Sequence, residues 1–284
     1  MAAAAPPEHV SRGSDGALRR NSDQAKWTDT SVCFGHPEYP AQAETGPLLR
    51  AMDAASIDQA WVFGYRAVAT HDFAAANASV RTLVAQHPDR LVPIGLVNPF
   101  HAFPAVENLL DEGFKSIKIL TGWGNWLTIG NVRRVVVPIT QALQRRSLHV
   151  SIALEGNIPV TGGSTFLPLI VREACPDACI VLDHCWLPSA WEDYLALAED
   201  DRNLWFTLHS LPQALLTRVV RELGLARIVL GSWLPETDPD LVYAQLQRAA
   251  GIGDGLASVL RDNAARVLQG LPPRHATPTD KDTT

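Results

Sequence analysis

Short apolar segments alternate with longer amphipathic segments along most of this chain. The apolar segments have the length of β-strands, and in the segments between them apolar residues recur with the spacing of a helix face. Eight segments are predicted as strands: 27–34, 59–64, 91–97, 116–121, 149–155, 179–184, 204–210 and 227–232. Each of them is followed by a helical pattern, for example at 47–57, 73–87, 105–113, 136–147, 168–174, 211–223 and 239–251, and a last helix covers 254–270.

This alternation predicts an α/β protein with a parallel sheet. The strand segments are apolar at nearly every position, which indicates burial on both faces, as helices outside a packed barrel would require. An open doubly wound sheet uses the same elements, but no G-x-G-x-x-G motif follows the first predicted strand. The sequence therefore predicts a (β/α)8 TIM barrel.

Composition limits the domains and the classes of partner. The chain has 284 residues, 46% of them apolar, which suits one large barrel. The net charge of -6 is mild and the charges are intermixed, so we expect no nucleic-acid partner. We find no leader-like segment and no run of about eighteen uncharged apolar residues, so we expect no membrane insertion. Four cysteines do not make a disulfide framework. We expect a cytoplasmic protein.

The two ends differ in composition from the middle. Residues 1–25 and 271–284 are rich in small, polar and charged residues and in proline, without apolar periodicity. We predict a disordered N-terminal tail at 1–25, a barrel domain at 26–270 and a disordered C-terminal tail at 271–284.

In a TIM barrel the chemistry lies at the carboxyl ends of the strands and in the loops that follow them. The residues expected in this region are Ser31, Cys33, His36, Lys118, Ala153, Leu154, Glu155, Asp183, His184, His209 and Trp233, with Trp123 and Trp126 in the loop after the fourth strand. They form the predicted pocket, which we expect to take a small-molecule ligand.

Six segments carry a resemblance to a known family. MDAASIDQAWVFG (52–64) resembles the family segment MDRAGIDRAVL, VAQHPDRLVPIGLVNP (84–99) resembles AAHPDRFVGFARVDP, and LLDEGFKSIKI (109–119) resembles GFRGIKLHP. CIVLDH (179–184) is similar to KIVLGH, ARIVLGSWLP (226–235) to DRILFGSDWP, and RDNAARVL (261–268) to GNAARLL. The family is the amidohydrolase-related branch of the amidohydrolase superfamily, which includes aminocarboxymuconate-semialdehyde decarboxylase. The resemblance implies a metal-dependent-hydrolase-like barrel.

The resemblance also implies a set of metal ligands, most of which this chain lacks. The family's H-x-H of the first strand falls on Ser31 and Cys33, its strand-five histidine on Ala153, its strand-six histidine on His184 and its strand-eight aspartate on Trp233. A catalytic zinc needs about three protein ligands around an open position. Cys33 and His184 would hold an ion weakly unless Glu155, Asp183 or His36 joined them. We therefore expect a degenerate metal site and no cofactor.

The remaining polar residues have catalytic and structural interpretations. Cys33 is a candidate thiolate paired with His184, or a small buried residue. Lys118 is a candidate Schiff-base or anion-steering residue, or part of the scaffold held by Glu155 or Asp183. His184 is a candidate general base, or a hydrogen-bonded core histidine.

The tryptophans Trp233, Trp123 and Trp126 have two interpretations of their own. They stack on a planar ligand or close the mouth of the barrel, and we favour closure.

Two functional classes follow from these residues. The favoured one is a non-catalytic homologue, a pseudoenzyme that acts as a partner subunit or small-molecule binder. The alternative is a metal-independent lyase, isomerase or cyclase that uses His184, Lys118, Cys33 and Glu155, and a weaker one is a hydrolase or decarboxylase with a shifted metal site. A homodimer, or a heteromer with an intact amidohydrolase-like paralogue, is the expected assembly.

Overall fold

A computed structural model describes residues 25–36, 44–121, 129–153, 166–183, 191–209, 211–253 and 255–274. It contains one eight-stranded parallel sheet in which the strands follow one another in sequence order. The strands are β1 (Trp27–Phe34), β2 (Ile57–Gly64), β3 (Leu91–Leu96), β4 (Ser116–Leu120), β5 (His149–Ala153), β6 (Cys179–Asp183), β7 (Leu204–Leu208) and β8 (Ile228–Leu230). All eight predicted strands are therefore present.

Helices connect the strands and cover the outside of the sheet. They are α1 (Thr45–Ala54), α2 (Tyr65–Thr70), α3 (Phe73–Gln86), α4 (Ala105–Asp111), α5 (Ile129–Arg145), α6 (Phe166–Ala174), α7 (Trp191–Asp200), α8 (Gln213–Leu223), α9 (Pro239–Ala250) and α10 (Gly255–Leu268). The short helix α2 follows β2 directly and was not anticipated. Its six residues are too few for the repeated apolar spacing that identifies longer helices.

The first and last strands meet and bring the sheet round into a barrel. The amide of Trp233 donates to the carbonyl of Ser31 at 2.8 Å, and the amide of Cys33 donates to the carbonyl of Leu234 at 2.9 Å. The carboxylate of Asp29 accepts the Ser232 amide at 3.0 Å and the Ser232 hydroxyl at 2.5 Å. These contacts confirm the (β/α)8 TIM barrel.

The β1–β8 junction also depends on a glycine. A Cβ atom at Gly231 would lie 2.6 Å from the Cβ of Ser31 and 2.7 Å from Cγ2 of Thr207. Such distances are too short for carbon atoms, so the absence of a side chain allows the two strands to approach each other. β8 is only three residues long, shorter than the predicted 227–232. A 3-10 turn at Leu225–Arg227 precedes it, and Trp233, which follows it, has a φ of 58°.

Alternate strand positions pack into two separate apolar clusters. One contains Val62, Ile117, Ile152 and Leu182 and packs against the outer helices. The other lies inside the barrel and contains the residues between those positions on the same strands, such as Phe63, Leu120, Ala153 and Val181. This period-two arrangement explains the near-continuous apolar strands, since both strand faces are buried.

We divide the barrel interior into two levels. The upper level is formed by Ser31, Phe63, Lys118, Ser151, Asp183 and Trp233. The lower level is formed by Trp61, His149, Cys179 and Trp205. The segment after α10 closes the lower level, because the Leu271 carbonyl accepts hydrogen bonds from Trp205 Nε1 at 3.0 Å and Cys179 Sγ at 3.6 Å.

The ends of the chain bear on two sequence predictions. The predicted tails lie outside the described residues except for residue 25 and residues 271–274. Among the helices that the structure describes, none combines the length and the apolar character needed to cross a bilayer.

Candidate functional site in the barrel interior

A buried ion pair lies in the upper level of the barrel. Lys118 on β4 points inward, and its Nζ lies 2.6 Å from Oδ2 of Asp183, the last residue of β6. Both side chains are almost fully buried, at 1% and 2% exposure. The period-two alternation of each strand places both side chains on the inner face. The barrel thus brings together two residues that are 65 positions apart in sequence.

Two serines add hydrogen bonds to this ion pair. Lys118 Nζ donates to Ser31 Oγ at 2.8 Å. The hydroxyls of Ser31 and Ser151 donate to Asp183 Oδ2 at 3.4 and 3.3 Å. A buried ion pair needs such additional hydrogen bonds, because burial removes the water that would otherwise solvate both charges.

Two aromatic rings cover the ammonium group. Lys118 Nζ lies 3.7 Å from the centroid of the Phe63 ring and 5.3 Å from that of Trp233. The two rings meet edge to face, with centroids 5.1 Å apart. Trp233 is fully buried. These distances are those of cation–π contacts, so the ammonium is enclosed by one carboxylate, one hydroxyl and two aromatic faces.

Burial shifts the pKa of the neighbouring titratable side chains. Desolvation raises the pKa of the Cys33 thiol well above its ordinary value, against the effect of Lys118. It lowers the pKa of His209 to about 4, so this imidazole is neutral at pH 7. It also raises the pKa of Asp29 to about 6, although hydrogen bonds from Ser232 and Ser31 oppose the shift. Cys33 is therefore a thiol at neutral pH and a poor nucleophile.

A second polar group lies at the rim, at the carboxyl ends of the strands. His36 Nε2, after β1, lies 3.6 Å from Oε1 of Glu236, which follows β8. The Tyr65 ring packs on His36 with centroids 3.9 Å apart. His36 is 4% exposed, whereas the Glu236 side chain is 39% exposed. An imidazole next to a carboxylate is an arrangement that can move a proton.

The structure brings together part of the predicted pocket. Ser31, Lys118 and Asp183 are in direct contact, and Trp233 covers them. The carboxylate that holds Lys118, as one of its interpretations expects, is Asp183. Cys33 and Ala153 are buried in the inner cluster and His209 is buried nearby. The predicted site residues Leu154, Glu155, His184, Trp123 and Trp126 lie outside the described residues.

Several residues around the ion pair and at the rim are not among the site residues predicted from the sequence. The sequence pattern assigns Phe63 and Ser151 to strands but not to the site, although each lies on the inner face of its strand. Tyr65 and Glu236 follow the ends of β2 and β8, where the barrel rule places functional residues, so that rule was sufficient to find them. Asp29 carries no such signal, because its role depends on the closure of β1 against β8.

Comparison with known proteins identifies the family. The amidohydrolase family model matches residues 25–270, which is most of the chain. The chain belongs to the amidohydrolase family. This finding confirms the resemblance described in the sequence analysis, and no curated protein matches the chain significantly.

Several solved structures share the fold of this chain over most of its length. An uncharacterized TIM-barrel protein from Bordetella bronchiseptica has a TM-score of 0.68 at 18% identity, over 86% of this chain and 99% of that one. 2,6-Dihydroxybenzoate decarboxylase from Rhizobium has a TM-score of 0.67 at 16% identity, over 86% and 98% of the two chains. 5-Carboxyvanillate decarboxylase from Novosphingobium aromaticivorans, complexed with manganese and a nitrobenzoic acid, has a TM-score of 0.67 at 16% identity, over 89% and 98%. At these identities the likeness concerns the fold alone.

The described part of this amidohydrolase barrel contains no complete set of side chains for the family's metal, and the candidate ligands His184 and Glu155 lie outside the described residues. Within the described ranges no group of three or more His, Cys, Asp or Glu side chains could hold an ion. Two of the implied ligand positions are occupied by Ala153 and Trp233. The side chain of Ala153 offers no donor atom, and that of Trp233 offers only an indole. Asp183 is engaged by Lys118 at 2.6 Å. The described residues therefore provide fewer donors than a catalytic divalent ion requires.

Proposed function

We propose that this protein is a metal-independent, non-catalytic member of the amidohydrolase family that acts as the partner subunit of an intact relative. The observation that carries the proposal is the buried Lys118–Asp183 ion pair beneath Trp233. In an active member of such a fold, the barrel centre has to admit a metal, a water molecule and a substrate. Here the same region is filled by a charge pair and an indole.

The electrostatics of the centre support this proposal. A carboxylate in the barrel interior would ordinarily attract a cation, but the Asp183 charge is balanced by Lys118 at 2.6 Å. Bringing a divalent ion next to the Lys118 ammonium would add repulsion between like charges in a poorly solvated space.

The surface offers some support for a binding role. Two large apolar side chains, Phe100 and Phe103, are 38% and 45% exposed on the turn that follows β3. Exposed aromatic side chains close together are a feature of protein interfaces. A small-molecule binder without a protein partner is the other form of the non-catalytic proposal.

The proposal is tested first by elemental analysis of the purified protein. We expect well below one zinc, manganese or iron per chain, before and after incubation with each ion and removal of the excess. The same preparations should not decarboxylate 2,6-dihydroxybenzoate or 5-carboxyvanillate, the compounds named by the structural relatives. About one tightly bound ion per chain would contradict the proposal.

The partner is tested by purification from the native source at endogenous levels. We expect an amidohydrolase-family chain with complete metal ligands to accompany this protein in a fixed ratio. Purification as a single component with a bound metabolite would instead favour the small-molecule binder. Purification alone, without any ligand, would count against both binding roles.

A second candidate is a metal-independent lyase or isomerase, and the rim supports it. His36 and Glu236 form an imidazole–carboxylate pair at 3.6 Å, in the region where barrel enzymes have their active sites. This pair could move a proton without a metal. Turnover of an aromatic carboxylic acid in the presence of a chelator, lost in His36→Gln and retained in the exposed-site control His101→Gln, would favour this candidate. Turnover that is unchanged in His36→Gln would exclude it.

A further inference from the structure

We propose that the barrel centre is a built ammonium site, which the chain occupies with its own Lys118 side chain. The Lys118 ammonium has a carboxylate oxygen at 2.6 Å and a hydroxyl oxygen at 2.8 Å. It also faces the Phe63 ring at 3.7 Å and the Trp233 ring at 5.3 Å. One anion, one neutral acceptor and two aromatic faces thus surround a single cation.

This set of contacts matches an ammonium group better than a metal ion. An ammonium has three N–H donors, and Asp183 and Ser31 accept two of them while the Phe63 ring face lies close to the charge. A divalent ion instead requires several N, O or S donors in its coordination sphere, and aromatic faces provide none. The chemical class of ligand for this site is therefore a primary alkylammonium.

Asp183 is the residue that distinguishes this centre from the family pattern. In CIVLDH, Asp183 stands where the similar family segment KIVLGH has glycine, whereas Lys118 matches a lysine in GFRGIKLHP. The lysine thus corresponds to a family residue, and the carboxylate that holds it does not. The Ser31 hydroxyl, in place of the first histidine of H-x-H, contributes the second oxygen.

This inference rests on the proposed metal-independent function only in that the centre holds no divalent ion. The two can fail separately. Metal bound to the wild-type protein would contradict the proposed function, whereas the inference concerns what fills the space when the Lys118 side chain is removed.

Chemical rescue of Lys118→Ala tests the inference. This substitution removes the atoms of one propylammonium ion. We expect the melting temperature Tm to fall by roughly 10 °C, because the Asp183 charge is left buried without its partner. Propylammonium chloride should raise the Tm of the variant in a saturable manner, since a ligand of the folded state stabilises it. Neither 1-propanol nor manganese chloride should do so.

The controls use the exposed neighbour Lys115 and the wild-type protein. Lys115→Ala should melt close to the wild type, and propylammonium should raise the Tm of neither protein. Equal rescue by 1-propanol would mean that the space is merely apolar, and rescue by manganese would mean that it is a metal site. Either result, or no rescue by propylammonium, would overturn the inference.

A double-mutant cycle tests the same inference if Lys118→Ala does not fold. The variants are Lys118→Met, Asp183→Asn and the combination of both. We expect the combination to melt at a higher temperature than either single variant, because it removes both charges of the pair together. A combination that melts no higher than the less stable single variant would overturn the inference.

Discussion

The two levels of the barrel interior accommodate ionisable side chains in different ways. In the upper level, Lys118 and Asp183 are both buried and face each other at 2.6 Å. In the lower level, His149 is buried next to the Trp61 ring, with centroids 5.1 Å apart, and burial lowers its pKa to about 3. The upper level thus contains a cation paired with an anion, whereas the lower level contains a base that stays neutral at pH 7.

The difference shows the two ways in which a protein interior accommodates a titratable side chain. A charge can be kept if an opposite charge and hydrogen bonds compensate for lost hydration, as at Asp183. Otherwise the group loses its charge, as His149 does. Loss of either partner should lower the stability of the paired arrangement, whereas acid should lower the stability of the neutral arrangement.

The largest expected effect comes from the apolar packing of the lower level. Trp205→Ala should reduce the free energy of unfolding by about 3–5 kcal/mol, because it leaves a cavity and removes the hydrogen bond to Leu271. Urea denaturation measures this loss. The matched control Phe103→Ala, at a side chain that is 45% exposed, should cost less than about 1 kcal/mol. Equal losses would mean that the lower level is not closely packed.

A smaller loss is expected where β1 joins β8, beside the upper level. Asp29→Ala removes the acceptor of the Ser232 and Ser31 amides and of the Ser232 hydroxyl. We expect a loss of about 2–3 kcal/mol in the free energy of unfolding, since buried donors are left without a partner. The control Asp72→Ala removes a helix N-cap that accepts from Ala75 and should cost about 1 kcal/mol. A smaller loss for Asp29→Ala than for the control would show that the barrel closes without this carboxylate.

Acid distinguishes the neutral arrangement from the paired one. The pKa of His149 is about 3 in the folded protein, below the ordinary 6.5. Below pH 6.5 the unfolded chain binds a proton there that the folded chain does not, so stability falls as the pH decreases towards 3.

The measurement compares His149→Phe with the wild type by urea denaturation at pH 7 and pH 4.5. The wild type should lose about 2–3 kcal/mol more than the variant, and the contributions of Asp29 and His209 should cancel in the comparison. His101→Phe, at an exposed position, should follow the wild type. Parallel curves for the wild type and His149→Phe would contradict a neutral buried His149.

The smallest effect concerns the reactivity of Cys33. Burial holds its pKa well above the ordinary value and leaves the side chain 2% exposed. We therefore expect iodoacetamide at pH 8 to modify Cys33 only after urea is added, as seen by peptide mass mapping. Rapid modification in the folded protein would show that the barrel interior around Cys33 opens to solvent and would favour the nucleophile interpretation of Cys33.

The sequence was sufficient to predict the fold because the strand pattern is local. Each predicted apolar segment of six to eight residues overlaps one observed strand, and the order of strands follows from the helices between them. The contacts of the site are not local. Ser31 and Asp183 are separated by 152 residues, and their contact depends on the register of several strands. The strand-end rule directed attention to Lys118 and Asp183, but it left Glu155 and Asp183 as alternative carboxylate partners of the lysine.

The lower level shows a second limit of sequence reasoning. His149 is the first residue of β5, at the end of the strand that the barrel rule treats as structural. Its low pKa depends on burial next to Trp61, which no pattern around position 149 indicates.

The carbonyl of Leu271 has a practical consequence for work with this protein. It accepts hydrogen bonds from Trp205 and Cys179, so the floor of the barrel is sealed by a residue three positions beyond the last helix. Shortened versions that stop at Leu268 would uncover two polar groups that face the interior. A chain that retains Leu271 and Pro272 keeps these hydrogen bonds and that of Arg266 to the Pro272 carbonyl.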